Sequence, residues 1–230
     1  MKLNERQQMI LKLTEEKGRI STANISKVLD VSEMTVRRDL QKMENGGFIK
    51  RYHGGALIPD TYIHYPINMR IHINEKEKRM LAKRAEKHLC DGQTIFIGSS
   101  STCAYIIPYI KNYRNMTVIT NSVGYLHTLS KYGVRCLLTG GEYRERERSL
   151  LGYDAESFLI KINPDVAFLS CDGISEQGMI TLNDLNEAAI IGIVFQNSVK
   201  KIFLADSSKL GKKYRYNICA KGDADDIIII

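Results

Sequence analysis

No stretch of the 230-residue chain approaches the roughly 18 consecutive apolar residues that a membrane-crossing helix needs. The longest apolar run, 188–195, has eight. Charged and polar residues arrive by Asn4, Glu5 and Arg6, too early for the apolar core of a secretion signal. The expectation is a cytoplasmic protein with no membrane partner. Cysteine is sparse: Cys90, Cys103, Cys136, Cys171 and Cys219 are odd in number, and no two lie within four residues of each other. That spacing excludes a disulfide framework and a zinc ribbon, and single cysteines among apolar neighbours read as small core residues. No metal site and no cofactor are expected. Internal repeats and low-complexity tracts are also lacking.

What is present is the composition of an ordinary globular chain, 43% hydrophobic and 26% charged, with a formal net charge of +7 that favours an anionic partner. The surplus divides as +3 over 1–60 and +4 over the rest, so position must identify that partner. At about 150 residues per domain, the length suits one large domain or two unequal ones.

Three helical segments open the sequence. Over 4–17, Met9, Ile10 and Leu13 form one stripe, and Gly18 ends it. Ser21 offers a cap for a short second helix carrying Ile25 and Leu29, and Asp30 and Val31 make a tight connection. Ser32 caps a third helix running to about Asn45, in which Val36, Leu40 and Met43 form the buried stripe. Thr35, Arg38, Gln41 and Lys42 consequently face outward. Gly46 and Gly47 stop the helix, and 48–56 reads as a hairpin with a glycine turn. A first domain over 1–57 is followed by a linker over 58–74, where Pro59 and Pro66 interrupt any period. Beyond it strands at 94–97, 116–120, 134–139, 166–171, 201–205 and 226–230 alternate with helices at 75–89, 102–111, 123–131 and 184–198. Such alternation implies an α/β domain, a parallel sheet covered on both faces, over 75–230.

A helix, a tight turn and a capped second helix with Thr35, Arg37 and Arg38 early in its run suit the major groove of double-stranded DNA, which admits one helix. Arginine can fork onto a guanine edge or a phosphate, while Ser32 and Thr35 can hydrogen-bond phosphate. The hairpin with Lys50, Arg51 and His53 becomes a wing against the backbone or minor groove. The bland alternative is a packing module whose arginines are solvated or paired with Glu33 and Asp39. The run Ser32-Glu33-Met34-Thr35-Val36-Arg37-Arg38-Asp39-Leu40, followed by Gly47-Phe48-Ile49-Lys50-Arg51-Tyr52-His53-Gly54-Gly55-Ala56, resembles the N-terminal signature of the DeoR family of bacterial transcriptional regulators. The resemblance implies a winged helix-turn-helix in which Ser32, Thr35, Arg37 and Arg38 dock on operator DNA, with Lys42, Lys50, Arg51 and His53 in support. It further implies that Asp39 holds the arginines in place.

In open α/β sheets ligands bind beyond the carboxyl ends of the strands. There the sequence places Gly98-Ser99-Ser100-Ser101-Thr102, Asn121-Ser122, Gly140-Gly141, Asp172-Gly173 and Asp206-Ser207-Ser208-Lys209. Hydroxyls and backbone amides opening a helix at Ser101 or Thr102 make a phosphate cradle with Lys209 as its cation. Asp172, Asn121 and Glu187 are candidate partners for sugar hydroxyls. The alternating run Arg144-Glu145-Arg146-Glu147-Arg148 reads as a solvated strand or hairpin, and Tyr143 and Tyr153 as packing residues.

This half resembles the sensor domain of the same family, whose fold is similar to ribose-5-phosphate isomerases and CoA transferases and which usually senses a phosphorylated sugar. Carried over by position, the effector-site candidates are Ser99, Ser100, Ser101, Thr102, Asn121, Gly140, Gly141, Asp172, Gly173 and Lys209. Many members have aspartate where this chain has Gly98, which removes a hydroxyl acceptor. The chain stops on four isoleucines where members continue, so a shortened end, or an edge supplied by a partner copy, is expected. The implied function is a repressor of a sugar-metabolism operon, with no catalytic residue, working as a homodimer or homotetramer. The rival is a sugar-phosphate isomerase or CoA-transferase-like enzyme carrying a DNA-binding module. It lacks the further acids expected after Asp172-Gly173. RNA binding is weaker still, because the wing has no cluster of exposed aromatics.

Overall fold

Caps set the boundaries of the first three helices. In this computed structural model, which describes residues 3–46, 48–57 and 65–230, Asn4 starts helix α1 (Glu5–Lys17) with a reciprocal capping box to Gln7. A three-residue strand β1 (Arg19–Ser21) follows, too short to carry a readable alternation. Ser21 then accepts from the Asn24 amide to open α2 (Thr22–Leu29). Asp30 turns left-handed, with φ of 50°, and the Ser26 hydroxyl donates to the Val31 carbonyl at 2.6 Å, which closes the turn. Ser32 opens α3 (Glu33–Asn45). Ile10, Ile25, Val36, Leu40 and Met43 are buried together with Phe48, Ile49 and Ala56 as the core of this unit. Strands β2 (Lys50–Tyr52) and β3 (Gly55–Leu57) form the wing, and β1 joins it in the order β1-β3-β2. A Cβ at Gly55 would meet the Ile20 carbonyl oxygen at 2.2 Å, so only glycine lets β1 and β3 pair here.

The chain divides into two units, Met1–Met69 and Arg70–Ile230. Of the segment expected as linker, 58–64 lie outside the described residues, as does Gly47. The single helical turn α4 (Ile67–Arg70) falls where the units meet in sequence.

The second unit alternates as its apolar periods require. Helix α5 (Glu75–Ala85) leads to strand β4 (Thr94–Ile97). The helix expected at 102–111 is instead a 3-10 turn, Cys103–Ile106, followed by a four-residue helix α6 (Ile107–Ile110) with proline in its first turn. Then come β5 (Thr117–Thr120), α7 (Leu126–Lys131) and β6 (Arg135–Leu138). The alternating charges form the turn of a hairpin, β7 (Glu142–Arg144) with β8 (Ser149–Leu151), ahead of α8 (Tyr153–Leu159). Strands β9 (Val166–Ser170), β10 (Gly173–Ile174) and β11 (Met179–Leu182) precede α9 (Leu185–Asn197). The unit finishes with β12 (Lys200–Ala205), β13 (Tyr216–Ala220) and β14 (Asp226–Ile229).

Six strands make one parallel sheet in the order β14-β12-β9-β4-β5-β6. Because strand side chains alternate, Ile95, Val118, Phe168 and Ile202 pack on one face against Leu81 of α5 and Ile110 of α6. Phe96, Ile119, Leu169 and Phe203 pack on the other against Leu159 of α8 and Ile191 of α9. The last isoleucines are accommodated as strand β14 at the sheet's edge, paired with β12, with Ile228 buried. A small antiparallel sheet, β10-β11-β13, stands apart from the parallel one. Strand order sets the site: successive strands run one way from β4 through β5 to β6, then the other way from β9 through β12 to β14. The loops leaving β4 and β9 therefore diverge, and a crevice opens between their carboxyl ends.

Candidate functional site

In the first unit, the stripe that buries Val36, Leu40 and Met43 leaves the opposite side of α3 in solvent. Ser32 Oγ accepts from the Thr35 amide at 3.3 Å and lies 3.0 Å from the Thr35 hydroxyl, so both hydroxyls sit at the helix's exposed N-terminus. Arg37 reaches Glu33 at 3.4 Å across open solvent, a pair too exposed to hold it firmly. Arg38 and Lys42 are exposed and make no ion pair among the described residues. Met34, which the sequence reading passed over, is exposed on the same helix and offers an apolar contact of the kind a thymine methyl accepts.

Asp39 does not hold Arg37 or Arg38. It is buried and turned to α1, where its carboxylate accepts from Arg6 Nε at 2.6 Å and Gln7 Nε2 at 2.9 Å. The carboxylate pushes the Arg6 guanidinium above its ordinary value through this hydrogen bond and its charge. Asp39 thus fixes α3 on α1 and plays no part in placing Arg37 and Arg38. On the wing, Lys50 and His53 are exposed, whereas Arg51 donates from its amide and Nε to the Glu44 carboxylate at 2.9 and 2.8 Å. Those bonds hold Glu44 below the usual carboxylate range and tie β2 to the end of α3. Arg19 lies over the Tyr52 ring at 4.6 Å.

In the second unit the crevice is an open cleft, about 530 Å³ when the solvent space at its mouth is included. It is lined by the loop 98–102, Asn121, Asp172 and Lys209, joined by Arg70 and by Glu187 of α9, over an apolar floor of Leu182, Ile190 and Ile191. The loop is rigidly braced. Asn121 accepts from the Ser99 amide at 3.1 Å and donates to the Leu150 carbonyl at 3.3 Å, so its amide is a strut between loop and hairpin. Ser100 Oγ accepts from the Cys103 amide at 2.9 Å, and the buried Tyr125 hydroxyl donates to the carbonyls of Gly98 and Ser100. Burial pushes the Tyr125 phenol well above its ordinary value, which keeps it a donor. With only a four-residue helix behind the loop, the expected helix N-terminus contributes little. The anion-binding capacity of the cleft lies in its hydroxyls and cations.

Lys209 closes a 3-10 turn capped by Asp206, and Ser207 is tied to Glu77 of α5, so in this motif Lys209 is the group that lines the cleft. Asp172 accepts from the Asn183 amide at 2.9 Å. Glu187 keeps some exposure through the cleft mouth, yet burial raises its carboxyl to about 8, with Arg70 opposing the rise and Asp172 adding to it. Lys78 of α5 is 3% exposed, and burial lowers its ammonium to about 7, with Asp206 opposing. Its Nζ donates to the Arg70 carbonyl and, at 3.1 Å, to Ser101 Oγ. Gly140, Gly141 and Gly173 are not among the lining residues. Gly141 sits at φ of +109°, where a Cβ would be 2.5 Å from the Leu151 carbonyl oxygen, so it serves the hairpin. Gly173 opens β10 opposite Thr181. The sequence reading missed Arg70, which lines the cleft, and Lys78, which lies behind it and reaches the lining residue Ser101. Arg70 fell in the expected linker, and Lys78 lay in the charged run Glu75-Lys76-Glu77-Lys78-Arg79.

Residues 6–62 match the model of the DeoR-like helix-turn-helix domain, and residues 73–229 that of the DeoR C terminal sensor domain. The chain is 28% identical over 219 residues to the glycerol-3-phosphate regulon repressor of Escherichia coli (strain K12), covering 95% of this chain and 87% of the repressor. It is 32% identical over 234 residues to the lactose phosphotransferase system repressor of Staphylococcus aureus (strain NCTC 8325 / PS 47), covering 100% of this chain and 92% of that one. Among solved structures it is similar to ribose 5-phosphate isomerase A from Methanocaldococcus jannaschii, with a TM-score of 0.44, 23% identity, and coverage of 60% of this chain and 55% of that one.

Proposed function

The chain belongs to the DeoR family, as a DNA-binding transcriptional regulator and not an enzyme, and from that premise we propose that it represses sugar-metabolism genes under the control of a small phosphorylated metabolite. The observation that carries this reading is the cleft at the switch point of the sheet, where Arg70 and Lys209 stand with the serine loop and with two acids, Asp172 and Glu187. Cations and hydroxyls suit a phosphoryl group, and acids suit the hydroxyls of a polyol or sugar. The names of the two repressors above, which mention glycerol 3-phosphate and a lactose phosphotransferase system, are in keeping with such a ligand.

On DNA, α3 enters the major groove with Ser32, Thr35, Arg37, Arg38 and Lys42 toward the duplex, while Lys50 and His53 of the wing meet the backbone. Arg51 contributes mainly by holding the wing. The regulator works as a homodimer or homotetramer, since paired half-sites need paired reading helices. Ligand must favour one state of the assembly to change its hold on the operator.

A thermal-shift screen of the full chain against glycerol 3-phosphate, hexose 6-phosphates and their unphosphorylated parents tests the ligand class. One phosphorylated compound should raise Tm, because ligand at roughly a hundredfold excess over Kd stabilises by about 2.7 kcal/mol. Equal shifts from a phosphorylated compound and its parent would count against a phosphate-reading cleft.

A further inference from the structure

Arg70 carries an unanswered donor. Its side chain lines the cleft, yet its Nε is buried and has no hydrogen-bond partner among the described residues. A buried donor without an acceptor costs stability until an acceptor arrives. The planar guanidinium fork fits two oxygens of one phosphoryl group, a match that the Lys209 ammonium cannot make. The main chain of the same residue is also held, because Lys78 straps the Arg70 carbonyl to Ser101 of the phosphate-facing loop. Arg70 closes the helical turn that begins at Ile67, and the other three residues of that turn belong to the first unit.

The geometry points to Arg70 as the residue through which the phosphoryl group of the effector is read: ligand in the cleft clamps the Arg70 guanidinium, and with it the segment by which the chain leaves for the DNA-binding unit. This rests on the effector reading of the cleft. Lys209 and the serine loop supply affinity, but neither lies on that segment. Among the lining residues Arg70 alone lies on that segment, so a ligand held by its guanidinium adds a side-chain clamp to the main-chain hold that Lys78 already provides. A ligand shifts a two-state equilibrium by its differential contacts alone, so removing this one uncouples occupancy from operator release.

The test uses the full chain, wild type and Arg70→Gln, with glycerol 3-phosphate, hexose 6-phosphates and inorganic phosphate as probes. Calorimetry reads binding, and fluorescence anisotropy reads the ratio of operator affinity with and without saturating probe. Arg70→Gln should bind the tightest probe about tenfold or more weakly, the loss expected of a charge-assisted hydrogen bond. Its affinity ratio should fall to near one even at saturation. Binding and release both equal to wild type would overturn the inference and leave the effector reading standing. Weaker binding with full release at saturation would also overturn it, reducing Arg70 to one contact among several. A wild-type chain that binds none of the probes would remove the effector reading and the inference together. If ligand-free unfolding shows that Arg70→Gln does not fold, Arg70→Lys, which keeps the charge but loses the fork, is read in the same way.

Discussion

Asp39 shows how one side chain in a DNA-binding signature can serve the fold. Buried between α1 and α3, it satisfies Arg6 and Gln7. Asp39→Ala leaves those donors without their acceptor and should cost about 1 to 3 kcal/mol of stability. The loss is measured as a lower urea midpoint, whereas an Asp39 that oriented Arg37 and Arg38 would instead lose operator affinity at unchanged stability. Behind the cleft, Lys78 should make ligand binding pH-dependent through Ser101, which lines it. Held down to about 7 by burial, it is largely neutral above that pH, and an anion arriving beside Ser101 draws a proton onto it. Glu187, held up to about 8, moves in the same direction under an anion. Ligand binding should therefore take up protons at pH 8, and affinity should fall as pH rises above neutrality. Calorimetry in buffers of different ionisation heat reads this directly, and zero net uptake would contradict it. The serine loop, Asn121, Asp172 and Lys209 were legible in the sequence because each follows an apolar strand. Arg70 and Lys78 were not: a lysine in an alternating charged run looks solvated until tertiary packing buries it.

At the scale of elements, α3 is separable from its supports. Arg38→Ala should weaken operator and non-specific DNA alike if Arg38 meets phosphate, lowering the salt slope by about 1, or relax preference at one base pair if it meets a guanine. Titrations at several salt concentrations distinguish the two. Gly141→Ala should lower Tm through its left-handed backbone and the clash with Leu151, yet leave the Kd for the phosphorylated ligand unchanged where the protein is folded. Loss of affinity without loss of Tm would place Gly141 in the site. The three N-terminal helices and the parallel strands were readable because caps and apolar runs are local signals. β1, β10, β11 and β13 were not: β1 and β13 form against strands distant in sequence, and β10 is only two residues long. The segment 102–111 carries helix-like apolar spacing, but Pro108 at its centre limits it to a 3-10 turn and one turn of α-helix.

For the whole molecule, the proposed function links helix α3 in one unit to the cleft in the other through a segment that ends at Arg70. Reciprocity is required: if ligand weakens operator binding, operator must weaken ligand binding by the same factor. The most direct measurement is fluorescence anisotropy of labelled DNA from upstream of this protein's own gene, titrated with the phosphorylated compound that raises Tm, for wild type and Lys209→Gln. The account predicts salt-sensitive, sequence-specific binding that the compound changes in wild type, with Lys209→Gln requiring a far higher concentration for the same response. Operator affinity that stays constant while the cleft is demonstrably saturated would contradict it.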